Sequence, residues 1–280
     1  MNEMLHSPFI RNEKRWYFLS LYYASENWAE LIAEIEHFHR KREKQFSHCL
    51  ISFSEEKGEH LRVIFVTPAT DTHDYTSEIQ TCFQTFFEQH PSTSRKQFPY
   101  GEAIWCNYPN NSSAWNNFKW KDYSDQYIDF HKLTMKVVLK LTEGDFSGDS
   151  LFSLGMYLIV KGLSLMDCKE HKTALSQALH EAKTGSSNFI HTSKELLKEI
   201  DNNEIGEIIE SYKNENTNDY SIELINWLNE VKIFLKLYGF QTICSYICKT
   251  IGLTGLRQLV ILELLNSWHN SVHVNNLSFV

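Results

Sequence analysis

The feature that most constrains this chain is a change of hydrophobic period near Tyr123. Before it, short alternating runs of strand type interleave with runs of helical spacing; after it, nearly every apolar residue recurs at three- and four-residue intervals. Arg15 to Tyr23 (RWYFLSLYY) is dense in aromatics and reads as a strand. Trp28, Leu31, Ile32, Ile35 and Phe38 mark a helix over 26–43. Phe46 to Phe53 and His60 to Thr67 read as a hairpin around the polar turn SEEKG. Ile79, Phe83, Phe86 and Phe87 place a helix over 74–89, and 98–108 is expected to form a further strand. Strand-helix-strand-strand-helix-strand is the order of a ferredoxin-like unit.

The second half predicts helices over 124–141, 149–166, 171–183, 192–201, 205–212, 221–237, 241–250 and 254–268. The stretch from Asn202 to Tyr220 is polar and is expected to be mostly loop. In EGDFSGD, Asp149 or Ser150 is expected to cap the helix that follows. No linker separates the halves. The expected fold class is α+β, with an N-terminal ferredoxin-like sheet packed against a mostly helical C-terminal half, residues 1–280 forming a single domain. Eleven Gly and five Pro in 280 residues suit long helices and few tight turns.

Charge narrows the function classes. A formal net charge of −8 argues against direct binding of nucleic acid, whose phosphates call for Lys and Arg. The basic run His37 to Lys44 reads as cations at a helix C-terminus. The six cysteines (Cys49, Cys82, Cys106, Cys168, Cys244, Cys248) are dispersed, with no Cys-x-x-Cys pair, so neither a zinc site nor a secreted disulfide framework is expected. The N-terminus has no signal-peptide pattern and no apolar run reaches membrane-spanning length, which together predict a cytoplasmic protein without a membrane partner. His37 and His39 diverge on a helix, and His269 and His273 have no visible third ligand. Phosphate-binding Gly-rich loops, Gly-x-Ser-x-Gly, Ser-x-x-Lys and His-Glu-x-x-His are absent, so no metal, nucleotide or flavin cofactor is expected.

Three segments resemble a known family. RWYFLSLYY followed by Trp28 and Leu31, FSHCLISFSEEKGEHLRVIF, and FPYGEAIWCNYP are similar to successive parts of the thiopeptide-type bacteriocin biosynthesis domain, the fold that ends lanthipeptide dehydratases. SYICKTIGLTGLRQLVILELL resembles its closing helices. The resemblance implies a protein acting on ribosomally synthesised, modified peptides (RiPPs). In the elimination domains of this family, glutamate is removed from glutamylated Ser or Thr to leave dehydroamino acids. That reaction needs a base for the α-proton and cationic donors for the enolate oxygen and the departing carboxylate.

Carried over residue by residue, the resemblance makes His60 and Arg62 the first two members of a His-x-Arg-x-Arg pattern and Glu102 the acidic residue of the third segment. These three are the expected catalytic positions, with Tyr100 and Trp105 beside them for substrate binding. The chain departs from the pattern elsewhere. Ile64 stands at the second Arg, Trp105 at a further Arg, Ser245 near the family's catalytic His, and Lys249 and Thr250 at its Asn-Arg pair. The expected function is a glutamate-elimination lyase within a split dehydratase, working on a precursor peptide beside a glutamylation protein. The alternatives are a pericyclic, pyridine-forming cyclase, or a non-catalytic scaffold of a dehydratase complex.

Overall fold

The structure, a computed structural model, describes residues 8–54, 58–93, 108–115 and 124–277. The fold class is α+β, with the strands near the N-terminus and most helices after them. The chain divides into two compact units, Met1–Met135 with Glu143–Ser147, and Lys136–Thr142 with Gly148–Val280.

The first unit contains β1 (Phe9–Arg11), β2 (Lys14–Tyr22), α1 (Trp28–Lys41), β3 (His48–Ser54), β4 (His60–Pro68), α2 (Thr76–Gln89) and β5 (Ser112–Trp115). All pairings are antiparallel. β2 runs along β4 over its whole length, and β3 lies beyond β4. The other edge of β2 is shared in tandem, with β1 on Lys14–Trp16 and β5 on Leu19–Tyr22. Apart from β1, the order β5-β2-β4-β3 is the ferredoxin-like arrangement the sequence predicts. Its last strand falls at Ser112–Trp115, whereas 98–107 of the predicted span 98–108 lies outside the described residues. β1 is an addition. Asn12 and Glu13 both take positive φ, as a two-residue hairpin turn demands.

Alternation gives the sheet two faces. One turns Leu21, Val63, Phe65 and Phe53 toward α1 and α2, with Phe65 5.2 Å from Phe38 and 6.3 Å from Phe83, and Phe53 5.1 Å from Trp28. On the opposite face Trp16, Phe18, Leu50, Ile64 and Val66 form a buried cluster with Ile128 of α3 (Asp125–Thr142). Ser124 caps α3, accepting from the Tyr127 amide. One turn on, His131 is buried and its Nε2–H donates to the Ile51 carbonyl at 2.6 Å. Ile51 belongs to β3, the last strand in the sheet order among the described residues, so a side chain satisfies an edge carbonyl. Burial pushes the His131 pKa down to about 4, which leaves the ring neutral.

The second unit contains α4 (Gly148–Leu163), α5 (Cys168–Gly185), α6 (Ile190–Glu199), α7 (Asn202–Asn214), α8 (Ile222–Tyr238), α9 (Phe240–Thr250) and α10 (Leu256–Leu277). Asp167, Asp201 and Ser221 cap α5, α7 and α8 by accepting from the amides of Lys169, Asn203 and Leu224. At Gly155 of α4 a β-carbon would come within 2.5 Å of Leu253, so glycine permits the close approach. Two expectations need correction. α4 starts at Gly148, before both predicted caps, so Asp149 lies in its first turn. The helix predicted over 205–212 is present and runs from Asn202 to Asn214, so the polar stretch is less of a loop than expected; Ile209 is fully buried and Asp201 supplies a cap.

Lys161, near the end of α4, is 2% exposed. It pairs with Glu215 at 2.9 Å and donates to the Tyr212 carbonyl and the Tyr220 hydroxyl. The Tyr157 hydroxyl donates to Glu215 at 2.7 Å. Three groups from the end of α7 and its connection to α8 thus gather on one cation.

Candidate functional site

The face that buries Trp16 and Ile64 changes character along β2 and β4. Toward the end of β2 and the start of β4 it carries Ser20, Tyr22, His60 and Arg62, joined by Ser52 and Ser54 of β3. Ser20 and Ser52 stand opposite Arg62 on its two sides, and Tyr22 and Ser54 stand opposite His60. Directly opposed residues share a face, so these six form one polar patch. β5 adds Ser112 beside Tyr22 and Ala114 beside Ser20.

His60 is buried at 2% exposure. Its Nδ1 lies 2.8 Å from the Gly58 carbonyl, an acceptor only, so Nδ1 carries the proton. In the neutral ring Nε2 is then the basic nitrogen. The ring packs 4.6 Å from Tyr22, and Tyr22 stacks on Tyr108 at 4.6 Å with 15° between the planes. Arg62 is half-buried, on the face His60 shares. The arrangement therefore pairs a nitrogen able to take or give a proton with a permanent cation suited to a carboxylate or carbonyl oxygen.

The structure brings two of the predicted residues, His60 and Arg62, onto one strand face. Glu102, Tyr100 and Trp105 lie outside the described residues. Ile64 is 3% exposed, within the Trp16 cluster, so the position of the pattern's second Arg belongs to the core. Ser245 is half-buried on α9, Lys249 is exposed and Thr250 is buried. Sequence reasoning did not single out Tyr22, Tyr108, or the serines. The detectable signal was small polar residues at every second position, beside His60 and Arg62, in strands otherwise apolar. It also passed over Glu59, a buried carboxylate that accepts from the Ser25 hydroxyl at 3.2 Å.

Cys244, Cys248 and His48 are held in their neutral forms by their environment. Cys244 and Cys248 are fully buried, and burial raises both thiol pKa values, that of Cys248 to about 12. His48 is pushed down to about 4 by burial and by the Lys132 ammonium 2.6 Å away. Among the described residues no group of three His, Cys, Asp or Glu is placed to hold a metal ion, and no helix is long and apolar enough to cross a membrane. A cavity of about 730 Å³ lies in the second unit, between α5 and α8, and neither His60 nor Arg62 lines it.

No family model matches the chain, and no curated protein matches it in sequence. Among solved structures the chain is similar to the pyridine synthase TbtD from thiomuracin biosynthesis, with a TM-score of 0.60 and 14% identity over 92% of this chain and 99% of that one. At that identity the two share a fold, and they share it over almost their whole lengths.

Proposed function

We propose that the chain is a RiPP-modifying protein of the thiopeptide type that binds a precursor peptide at the His60–Arg62 patch and closes a ring in it. The observation that carries the reading is the fold held in common with a pyridine synthase across nearly all of both chains. Ile64 supports it: an elimination site built on His-x-Arg-x-Arg needs a second guanidinium where this chain has a core residue. Residues 1–280 are taken as one working unit. Arg62 binds a peptide carbonyl or carboxylate, and His60 Nε2 exchanges a proton with the substrate. Glu102, Tyr100 and Trp105 are assigned to the same site.

A second reading keeps glutamate elimination, and His60 favours it. Its Nε2 would take the α-proton as the glutamate carboxylate leaves the β-carbon, in a split dehydratase whose partner supplies the glutamylated peptide. A third is a scaffold without chemistry of its own.

The experiment offers the purified protein two forms of its precursor peptide, one bearing dehydroalanines and one bearing glutamyl esters, and follows both by mass spectrometry. Ring formation from the first supports the cyclase reading. Loss of glutamate from the second supports the lyase. Binding without turnover of either leaves the scaffold, and failure to bind either removes the peptide-modifying assignment.

A further inference from the structure

Three segments meet in a polar clasp beside the His60–Arg62 patch. Ser92 follows α2, lies in no strand and is 6% exposed. Its backbone is satisfied by a side chain: the Asn111 carboxamide accepts from the Ser92 amide at 2.9 Å and donates to the Ser92 carbonyl at 3.0 Å, as a neighbouring strand would. Asn110 Nδ2 donates to the same carbonyl at 3.1 Å. The Ser92 hydroxyl donates to Asn111 Oδ1 at 2.9 Å, and accepts from Asn110 Nδ2 at 3.0 Å and from the Ala24 amide at 3.3 Å. Asn111 takes a φ of 54°, a left-handed conformation that Asn adopts more readily than most residues.

The segments so joined carry the aromatic half of the patch. Ala24 follows Tyr22 by two residues, and Tyr108 precedes Asn110 by two. Asn111 leads directly into β5, which pairs with β2 only over Leu19–Tyr22, the half of the strand that bears Ser20 and Tyr22. None of these segments belongs to the cluster of Trp16, Ile64 and Ile128 that buries the other half of that face. Tyr108 stacks on Tyr22, and Tyr22 packs against the His60 ring, so a line of contacts runs from the clasp to His60. The Gly58 carbonyl holds one edge of that ring at Nδ1, and Tyr22 sets its tilt.

We propose that Ser92 and Asn111 are positioning residues of the His60–Arg62 patch: their clasp holds Tyr108 against Tyr22 and, through Tyr22, sets the direction of His60 Nε2. The inference rests on the reading of that patch as the working site. Its weight in the chemistry is geometric. A group that exchanges a proton must stand within hydrogen-bond reach of it, and a misplacement of about 1 Å can cost about a hundredfold in rate. Neither Ser92 nor Asn111 touches the substrate in this scheme; both act through the two tyrosines.

The test follows the His60 ring itself, by nitrogen NMR of the full chain made with isotope-labelled histidine, with His60→Gln to assign its signals. Asn111→Gly keeps the left-handed turn and removes the carboxamide. Ser92→Ala removes the hydroxyl. In the wild type Nδ1 and Nε2 should give the two separate signals of one tautomer. In both variants these should move toward each other, the mark of exchange between tautomers, while those of His131, held at the Ile51 carbonyl, stay in place. Turnover of whichever precursor form the wild type processes should fall roughly tenfold or more. Asn111→Asp keeps the turn and both bonds accepted from Ser92, and should recover most of that loss. Unchanged His60 signals in both variants would overturn the proposal, as would moved signals with full turnover. So would loss of the fold in both variants, since the clasp would then hold the sheet and not the patch. A wild type that processes neither form of the peptide would remove the reading of function, and the His60 signals alone would then decide whether the clasp sets that ring.

Discussion

His60 and Tyr22 face each other across the β2–β4 ladder with their rings 4.6 Å apart, and Tyr108 stacks on Tyr22 at the same spacing. Tyr22 is 1% exposed, so it is both a wall of the polar patch and part of the packed interior. Tyr22→Ala should therefore cost about 3–5 kcal/mol, the usual penalty for deleting a buried ring. Tyr22→Phe keeps the ring and should cost less than about 1.5 kcal/mol. Denaturant titration of the two variants separates them; equal stability of wild type and Tyr22→Ala would show that the stack contributes no packing.

Arg62 is half-buried on a strand, and its loss opens no core cavity. Arg62→Ala should keep the fold and weaken precursor-peptide binding or turnover roughly tenfold or more, the scale of one charge-assisted contact. Calorimetric titration of the peptide, with a melting curve for each protein, is the measurement. Unchanged affinity and turnover in a folded variant would take Arg62 out of the site.

His131 makes stability depend on pH. Its folded pKa is held at about 4 by burial, below the ordinary value of 6.5. Between those two values the unfolded chain binds a proton that the folded chain refuses. Stability is therefore fully present above about pH 6.5 and falls as the pH drops toward 4, by up to about 3 kcal/mol from this group. His48, held at about 4 as well, adds a slope of the same sign. His131→Gln keeps a donor for the Ile51 carbonyl but cannot titrate. Unfolding curves between pH 7.5 and 5 should be flatter for the variant, and parallel curves would refute the assignment.

Lys161 is the most enclosed cation in the helical unit, and its contacts all hold the end of α7 and the connection that follows. Lys161→Met leaves the Tyr212 carbonyl and Glu215 without their shared donor, a loss of roughly 3 kcal/mol. Glu215→Gln should cost less than half of that, because Glu215 is 39% exposed and water replaces its partner. Hydrogen exchange should speed up first at Asn214 to Tyr220 in the Lys161 variant. A uniform change across the chain would show that Lys161 does not hold that segment in particular.

The helices were legible because each keeps one buried stripe: Trp28, Leu31, Ile35 and Phe38 announce α1, and Ala174, Leu175, Ala178 and Ala182 hold α5. The three long strands were legible from alternation and aromatic density. β5 was not, because SSAW is four half-buried residues with no alternation, paired only by the edge of β2. β1 escaped because its turn is Asn-Glu and lacks the glycine that usually marks two positive-φ positions. α7 was legible over 205–212, but its first turn was hidden by its polar side, since a cap is a faint signal among asparagines and glutamates. At the site, His60 and Arg62 could be placed on one face from their spacing. That Ile64, two residues further along the same face, sits beneath α3 needed the packing of Ile128, which no local pattern encodes.

The bond from His131 to the Ile51 carbonyl has a colloidal consequence. A bare outer strand is a template on which other molecules can add strands, and among the described residues β3 is guarded at Ile51 by a buried imidazole that donates to its carbonyl. Burial penalises a proton on that ring, so acidification toward pH 4 favours states in which the ring has reached water and left the carbonyl. In those states the edge carbonyl of β3 is a growth point for intermolecular β-structure.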